Sequence, residues 1–74
     1  MISKLELENL INKYVDDFKI GDNNDSLEFE ELGLDSLDIM DLFSELETKF
    51  NINVDDSELS DIKSVKSLID FLDI

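Results

Sequence analysis

The chain has no cysteine, no histidine and no proline, and only two glycines. Without cysteine there is no disulfide to staple a small fold and no thiol to react. Without histidine the usual general base and the commonest metal ligand are missing. No nucleophile–base pair can be assembled, so the chain is not expected to be an enzyme, and no metal site is expected. Positive charge is also scarce: six Lys and Arg stand against twenty Asp and Glu, for a net charge of −14. Such a charge repels nucleic-acid phosphates and favours partners with basic patches, found quickly by electrostatic steering. Taken alone it would serve equally well to keep the protein soluble. No apolar run approaches the length of a membrane-spanning helix, and no secretory signal opens the sequence. A cytoplasmic location without membrane insertion is expected.

What is present fits one small domain over residues 1–74. The composition is 42% hydrophobic, too apolar for a wholly disordered chain. A chain this short buries a modest core, and a monomer is expected. The spacing is helical throughout and predicts an all-α bundle of four helices. Ser3-Lys4-Leu5-Glu6 reads as a capping box that opens the first. Leu7, Leu10, Ile11, Tyr14, Val15 and Phe18 follow at 3-4-3-4 spacing and predict one apolar stripe ending at Phe18. Gly21-Asp22-Asn23-Asn24-Asp25-Ser26 is a breaker cluster. The stretch from Lys19 to Asp35 is long for a loop, and Ile20, Leu27, Phe29, Leu32 and Leu34 are candidates to pin it. Gly33 is expected in a backbone conformation that side chains disfavour. A second helix runs from Asp35 or Ser36 to about Phe50, with Asp35 and Asp38 as a capping pair. A short third helix, capped within Asp55-Asp56-Ser57, is expected through Leu59 and Ile62. Ser64 caps a fourth with Val65, Leu68, Ile69 and Leu72 inward. No segment alternates as a strand.

Ser36 is the residue on which function turns. It lies where an acidic loop meets an amphipathic helix, so its hydroxyl should be exposed and its backbone fixed. The plain alternative is a serine at a helix start, where serine is common. On a helical wheel of the second helix, Ile39, Leu42, Phe43, Leu46 and Phe50 face the core. Leu37 lies nearly opposite and Met40 to its side, sharing the outer region with Asp41, Ser44, Glu47 and Thr48. An isolated surface leucine is ordinary. A leucine and a methionine ringed by carboxylates look more like a docking face.

The run Phe29-Glu30-Glu31-Leu32-Gly33-Leu34-Asp35-Ser36-Leu37-Asp38 resembles the prosthetic-group site of acyl carrier proteins. The likeness continues through Leu42, Leu46, Glu47 and Phe50 to Val54, Asp56, Ile62, Val65 and Ile69. The resemblance implies that Ser36 receives 4′-phosphopantetheine from a transferase that uses coenzyme A. The arm's thiol, which the polypeptide lacks, would then hold acyl groups as thioesters for acyl-processing enzymes. Asp35 matches the aspartate that assists the transferase. Leu37, Asp38, Met40, Asp41, Ser44, Glu47 and Asp56 match positions that meet basic partner enzymes. Phe43, Leu46, Phe50, Val54, Leu59, Ile62 and Leu68 are the residues implied around an acyl cavity, with ordinary core as their bland reading. The expected setting is fatty-acid biosynthesis, with a dedicated polyketide, aminoacyl or sugar-modifying carrier as the alternative. Asp55 stands where the family often has proline, Ser44 where it often has an apolar residue, and Phe43 where a smaller aliphatic is common. These three departures point toward the dedicated carrier.

Two other readings compete. Asp22, Asn24 and Ser26 sit at the first, third and fifth positions of a possible calcium loop. However, Leu27 replaces its glycine and Gly33 its bidentate glutamate. An unmodified acidic interaction protein would use the charge, but it leaves Gly33, Ser36 and Leu37 without a role.

Overall fold

The computed structural model describes residues 2–74. Its elements are α1 (Lys4–Ile11), α2 (Ser36–Phe50), α3 (Asp56–Leu59) and α4 (Val65–Leu72). The all-α expectation holds: the described residues form four helices, the third a single turn, and no strand. The nearest approach to a sheet is one isolated antiparallel bridge between Glu28 and Ser64.

α1 opens with the capping box read from its sequence. Glu6 N–H donates to Ser3 Oγ at 3.1 Å and Ser3 N–H to Glu6 Oε1 at 3.0 Å, so two otherwise orphaned donors are satisfied. Leu7, Leu10 and Ile11 are buried from this helix. The stripe does not continue as helix to Phe18, which corrects the periodicity reading. Asn12 ends it. Its side-chain amide donates to Glu8 O at 2.9 Å and to Phe18 O at 3.0 Å, and accepts from Phe18 N–H at 2.9 Å. A side-chain amide that pairs with backbone in this way competes with the helical ladder. Asp17 then takes a left-handed φ of 58°. Phe18 still reaches the core, but it arrives from a turn.

The long connection is pinned largely as expected. Phe29 and Leu34 are buried, and Ile20 and Leu32 pack half-buried against the core. Leu27 is half-buried but does not join that packing. Phe29 anchors the loop twice. Its ring meets Phe43 edge-on at 6.3 Å, and its N–H donates to Lys63 O at 2.8 Å. Gly33 has φ 101° with open space where a Cβ would stand. The requirement for glycine there is therefore conformational, and crowding plays no part.

α2 has the bounds its sequence predicts. Asp35 is its N-cap, and Asn51 ends it in the left-handed conformation at φ 55°. Leu42, Phe43 and Leu46 are buried, with Ile39 and Phe50 packed half-buried beside them. α3 stops at Leu59, short of the expected Ile62. Ser60 caps it, donating from its hydroxyl to Ser57 O at 2.9 Å. Ile62 is buried from the turn beyond. α4 is capped by Ser64, buries Val65 and Leu68, and leaves Ile69 and Leu72 half-buried.

Candidate functional site

Ser36 is the first helical residue of α2, and its side chain is exposed. Its backbone is clamped from both directions. On the loop side, Leu34 is buried and donates its N–H to Phe29 O at 3.0 Å. On the helix side, Asp38 N–H donates to Asp35 Oδ1 at 2.9 Å and Asp35 N–H to Asp38 Oδ2 at 3.2 Å. The hydrogen bonds of this turn run between the two aspartates and leave the Ser36 hydroxyl out. The result is a rigidly placed, uncommitted hydroxyl at the positive end of a 15-residue helix. A phosphate ester formed there gains from the helix terminus. The flanking carboxylates repel it, which discourages an anionic arm from lying flat along the helix.

The other residues implicated by sequence separate into two groups. Leu37 and Met40 are 74% and 64% exposed. Asp41, Ser44 and Asp56 are exposed as well, while Asp38 and Glu47 are half-buried. Apart from Asp56 at the start of α3, all of these ride on α2, within about three turns of Ser36. Leucine and methionine held open among acids form a mixed face of the kind seen at the centres and rims of protein interfaces.

The seven residues implied around an acyl cavity are not gathered at one place. Phe43, Leu46 and Leu68 are sealed in the core. Phe50 lines a cavity of about 190 Å³ with Leu10, Lys13 and Lys49. Val54 packs half-buried on the core. Leu59 and Ile62 do share a cavity of about 210 Å³, together with Phe29, Ile39, Glu28, Glu30 and Lys63. Ile39 lies three residues after Ser36, roughly 4.5 Å further along the helix axis. The cavity therefore reaches α2 within one turn of the serine. Phe29 and Ile39 were read from sequence as core residues. The spacing from Ser36 to Ile39 was the available signal for a second role.

Two contacts at the edge of the face were not foreseen. Tyr14 Oη donates to Asp41 Oδ2 at 2.6 Å, and Lys13 Nζ meets Glu45 Oε1 at 3.1 Å. Partial burial, the hydrogen bond to Asp41 and the nearby carboxylates of Glu45 and Asp38 push the Tyr14 phenol well above its ordinary range. Neighbouring groups act in opposite senses on the two lysines. The Glu45 carboxylate in contact with it holds the Lys13 ammonium up, whereas the positive charge of Lys13 pushes its neighbour Lys49 down.

Among the described residues no group of three or more His, Cys, Asp or Glu side chains is placed to hold a metal ion. In the acidic loop, Asp25 turns its carboxylate to Gly21 N–H at 2.8 Å. Among the described residues no helix is long and apolar enough to cross a membrane.

Comparison with known proteins bears on the same stretch. The family described as "Phosphopantetheine attachment site" matches residues 9–72. A curated acyl carrier protein of Buchnera aphidicola subsp. Baizongia pistaciae is 43% identical over 66% of this chain and 63% of its own length. One from Campylobacter hominis is 41% identical over 66% and 62%. An acyl carrier protein homolog of Mycoplasmopsis pulmonis is 46% identical over 55% and 56%. The matched part thus spans about three-fifths of these relatives. No solved structure matches the chain.

Proposed function

The chain belongs to the phosphopantetheine attachment-site family, and from that premise we propose that it is an acyl carrier protein whose arm is attached at Ser36. The observation that carries this reading is the exposed hydroxyl, fixed in place at the start of α2 while Asp35 and Asp38 take over the capping bonds. When bound, the group supplies the terminal thiol that holds an acyl chain as a thioester. The polypeptide has no cysteine to serve instead.

The chain's own residues do the rest. Ser36 Oγ provides the point of attachment. Asp35 stands beside it, placed to assist a transferase, and holds the helix start through its cap. Leu37, Asp38, Met40, Asp41, Ser44, Glu47 and Asp56 form the surface that meets the transferase and the acyl-processing enzymes, whose docking patches are basic. Fast, salt-sensitive encounters through such a face suit a carrier that leaves after each step. Leu59, Ile62, Phe29 and Ile39 offer apolar shelter near the arm. The chain is a cosubstrate, acts as a cytoplasmic monomer, and leaves the chemistry to its partners.

Fatty-acid biosynthesis is the setting we assign, supported by relatives that bear the name acyl carrier protein. Recovery of the loaded protein from its native cells, with the mass of its cargo, tests that assignment; a uniform non-fatty cargo would overturn it. The carrier function itself is tested by incubation with coenzyme A and a broad phosphopantetheinyl transferase. The intact mass should rise by a single arm, and an unchanged mass would contradict the proposal.

A further inference from the structure

Tyr14 is the one tyrosine of the chain, and helical spacing alone would assign it to the core. Its ring does pack half-buried against the core, but because α1 ends at Ile11 the turn after it also brings the hydroxyl to α2. Its 2.6 Å bond to Asp41 joins residues 27 apart in sequence and lies on the exposed surface. Lys13 reaches Glu45 from the adjacent position. Consecutive residues of the α1–α2 connection thus hold two acids that are one turn apart on α2.

Neither contact satisfies a buried group, and exposed polar pairs contribute little to stability. The Tyr14 bond does restrict Asp41. A free surface aspartate samples several rotamers, and a partner must freeze one of them on docking, at a cost in entropy. One phenolic donor occupies a single acceptor position on a carboxylate that has several. Oδ1 is left to meet an incoming guanidinium or ammonium.

We propose that Tyr14 is a positioning residue for partner docking, its hydroxyl holding the Asp41 carboxylate in the orientation that a basic partner meets. This rests on the docking face proposed above and adds a residue from outside α2 to it. A phenol is protonated, and so a donor, throughout the neutral range, and the raised value extends this further into alkali.

The test is the steady-state kinetics of a phosphopantetheinyl transferase with coenzyme A, for Tyr14→Phe, Asp41→Asn and the double variant. Tyr14→Phe should raise KM for the chain by about threefold, the scale expected from freeing one side chain, with kcat unchanged. Asp41→Asn should raise KM as well, and the double variant should be no worse than Asp41→Asn alone. If Asp41→Asn raises KM and Tyr14→Phe does not, the role of Tyr14 is overturned while the docking face stands. If Asp41→Asn changes nothing, Asp41 leaves the docking face and this proposal goes with it. An equal increment from Tyr14→Phe in both backgrounds would mean a merely structural effect and would also overturn it. A second arm leaves Tyr14 intact. With no tryptophan present, near-ultraviolet phenolate absorbance reads Tyr14 alone, and Asp41→Asn should bring its titration down toward the ordinary value. An unmoved titration would show that Asp41 does not hold the hydroxyl.

Discussion

Ser64 and Ser36 both stand at the start of a helix, one residue apart in helical position, and their hydroxyls have opposite fates. Ser64 is the N-cap of α4. Its Oγ accepts from Ser67 N–H at 3.2 Å, and Ser67 Oγ returns the favour by accepting from Ser64 N–H at 3.0 Å. Ser36 is one step inside α2, because Asp35 has taken the cap. The same reciprocal box is built at both helices, but at α2 it is built from carboxylates, and the serine is released from structural duty. Ser3 at α1 repeats the Ser64 pattern. A serine whose hydroxyl closes a cap cannot be esterified without loosening its helix, whereas one at the next position can. The acidic cap also surrounds the free hydroxyl with negative charge, which suits the basic partners proposed above.

That contrast can be broken most sharply at the two serines themselves. Ser36→Ala should abolish loading completely while leaving the far-ultraviolet circular dichroism unchanged, since the lost hydroxyl makes no bond at its turn. Ser64→Ala should load at the normal rate, and mass spectrometry of both variants after the transferase reaction reads the difference. Loading of Ser36→Ala at another serine would erase the distinction. Glu47→Lys, on the face beyond Ser36, should come next in size. Reversing a charge in a steering face should slow partner association about tenfold at low salt, and stopped-flow rates should converge with wild type as salt rises. Smaller again is the stability cost of Ser64→Ala, about 1 kcal/mol for a lost cap, readable by urea unfolding. Ser36→Ala should cost less than that. The smallest effect expected is alkaline. The Tyr14 phenol is raised in the folded chain relative to an unfolded value of about 10. The stability it contributes is therefore complete below that value and fades as pH rises through the folded one. Near-ultraviolet titration should show the folded chain ionising at higher pH than the denatured chain.

The same contrast explains which parts of the molecule could be read in advance. The start of α2 was legible because Asp35 and Asp38 are close in sequence and make a local bond. Its end was legible because asparagine tolerates the left-handed conformation seen at Asn51. The early end of α1 was hidden because it depends on Asn12 clasping Phe18, a loop residue that the 3-4 spacing also predicts to be buried. Periodicity placed Phe18 in the core correctly and drew the wrong element through it. Leu59 and Ile62 were foreseen in one helix, but Ser60 closes α3 between them. The cavity they share with Phe29 and Ile39 depends on how the long loop settles against α2 and α3, which no local pattern encodes. The Tyr14–Asp41 bond was hidden for the same reason: it exists only once the chain has turned back after Ile11.

The hydroxyl released by the acidic cap is the one proposed to become modified. Peptide-level mass spectrometry of the wild-type chain, after reaction with coenzyme A and a transferase, tests this most directly. A single phosphopantetheine on Ser36 is expected, with unmodified peptides around Ser3 and Ser64. An adduct on either of those capping serines, with Ser36 bare, would contradict it.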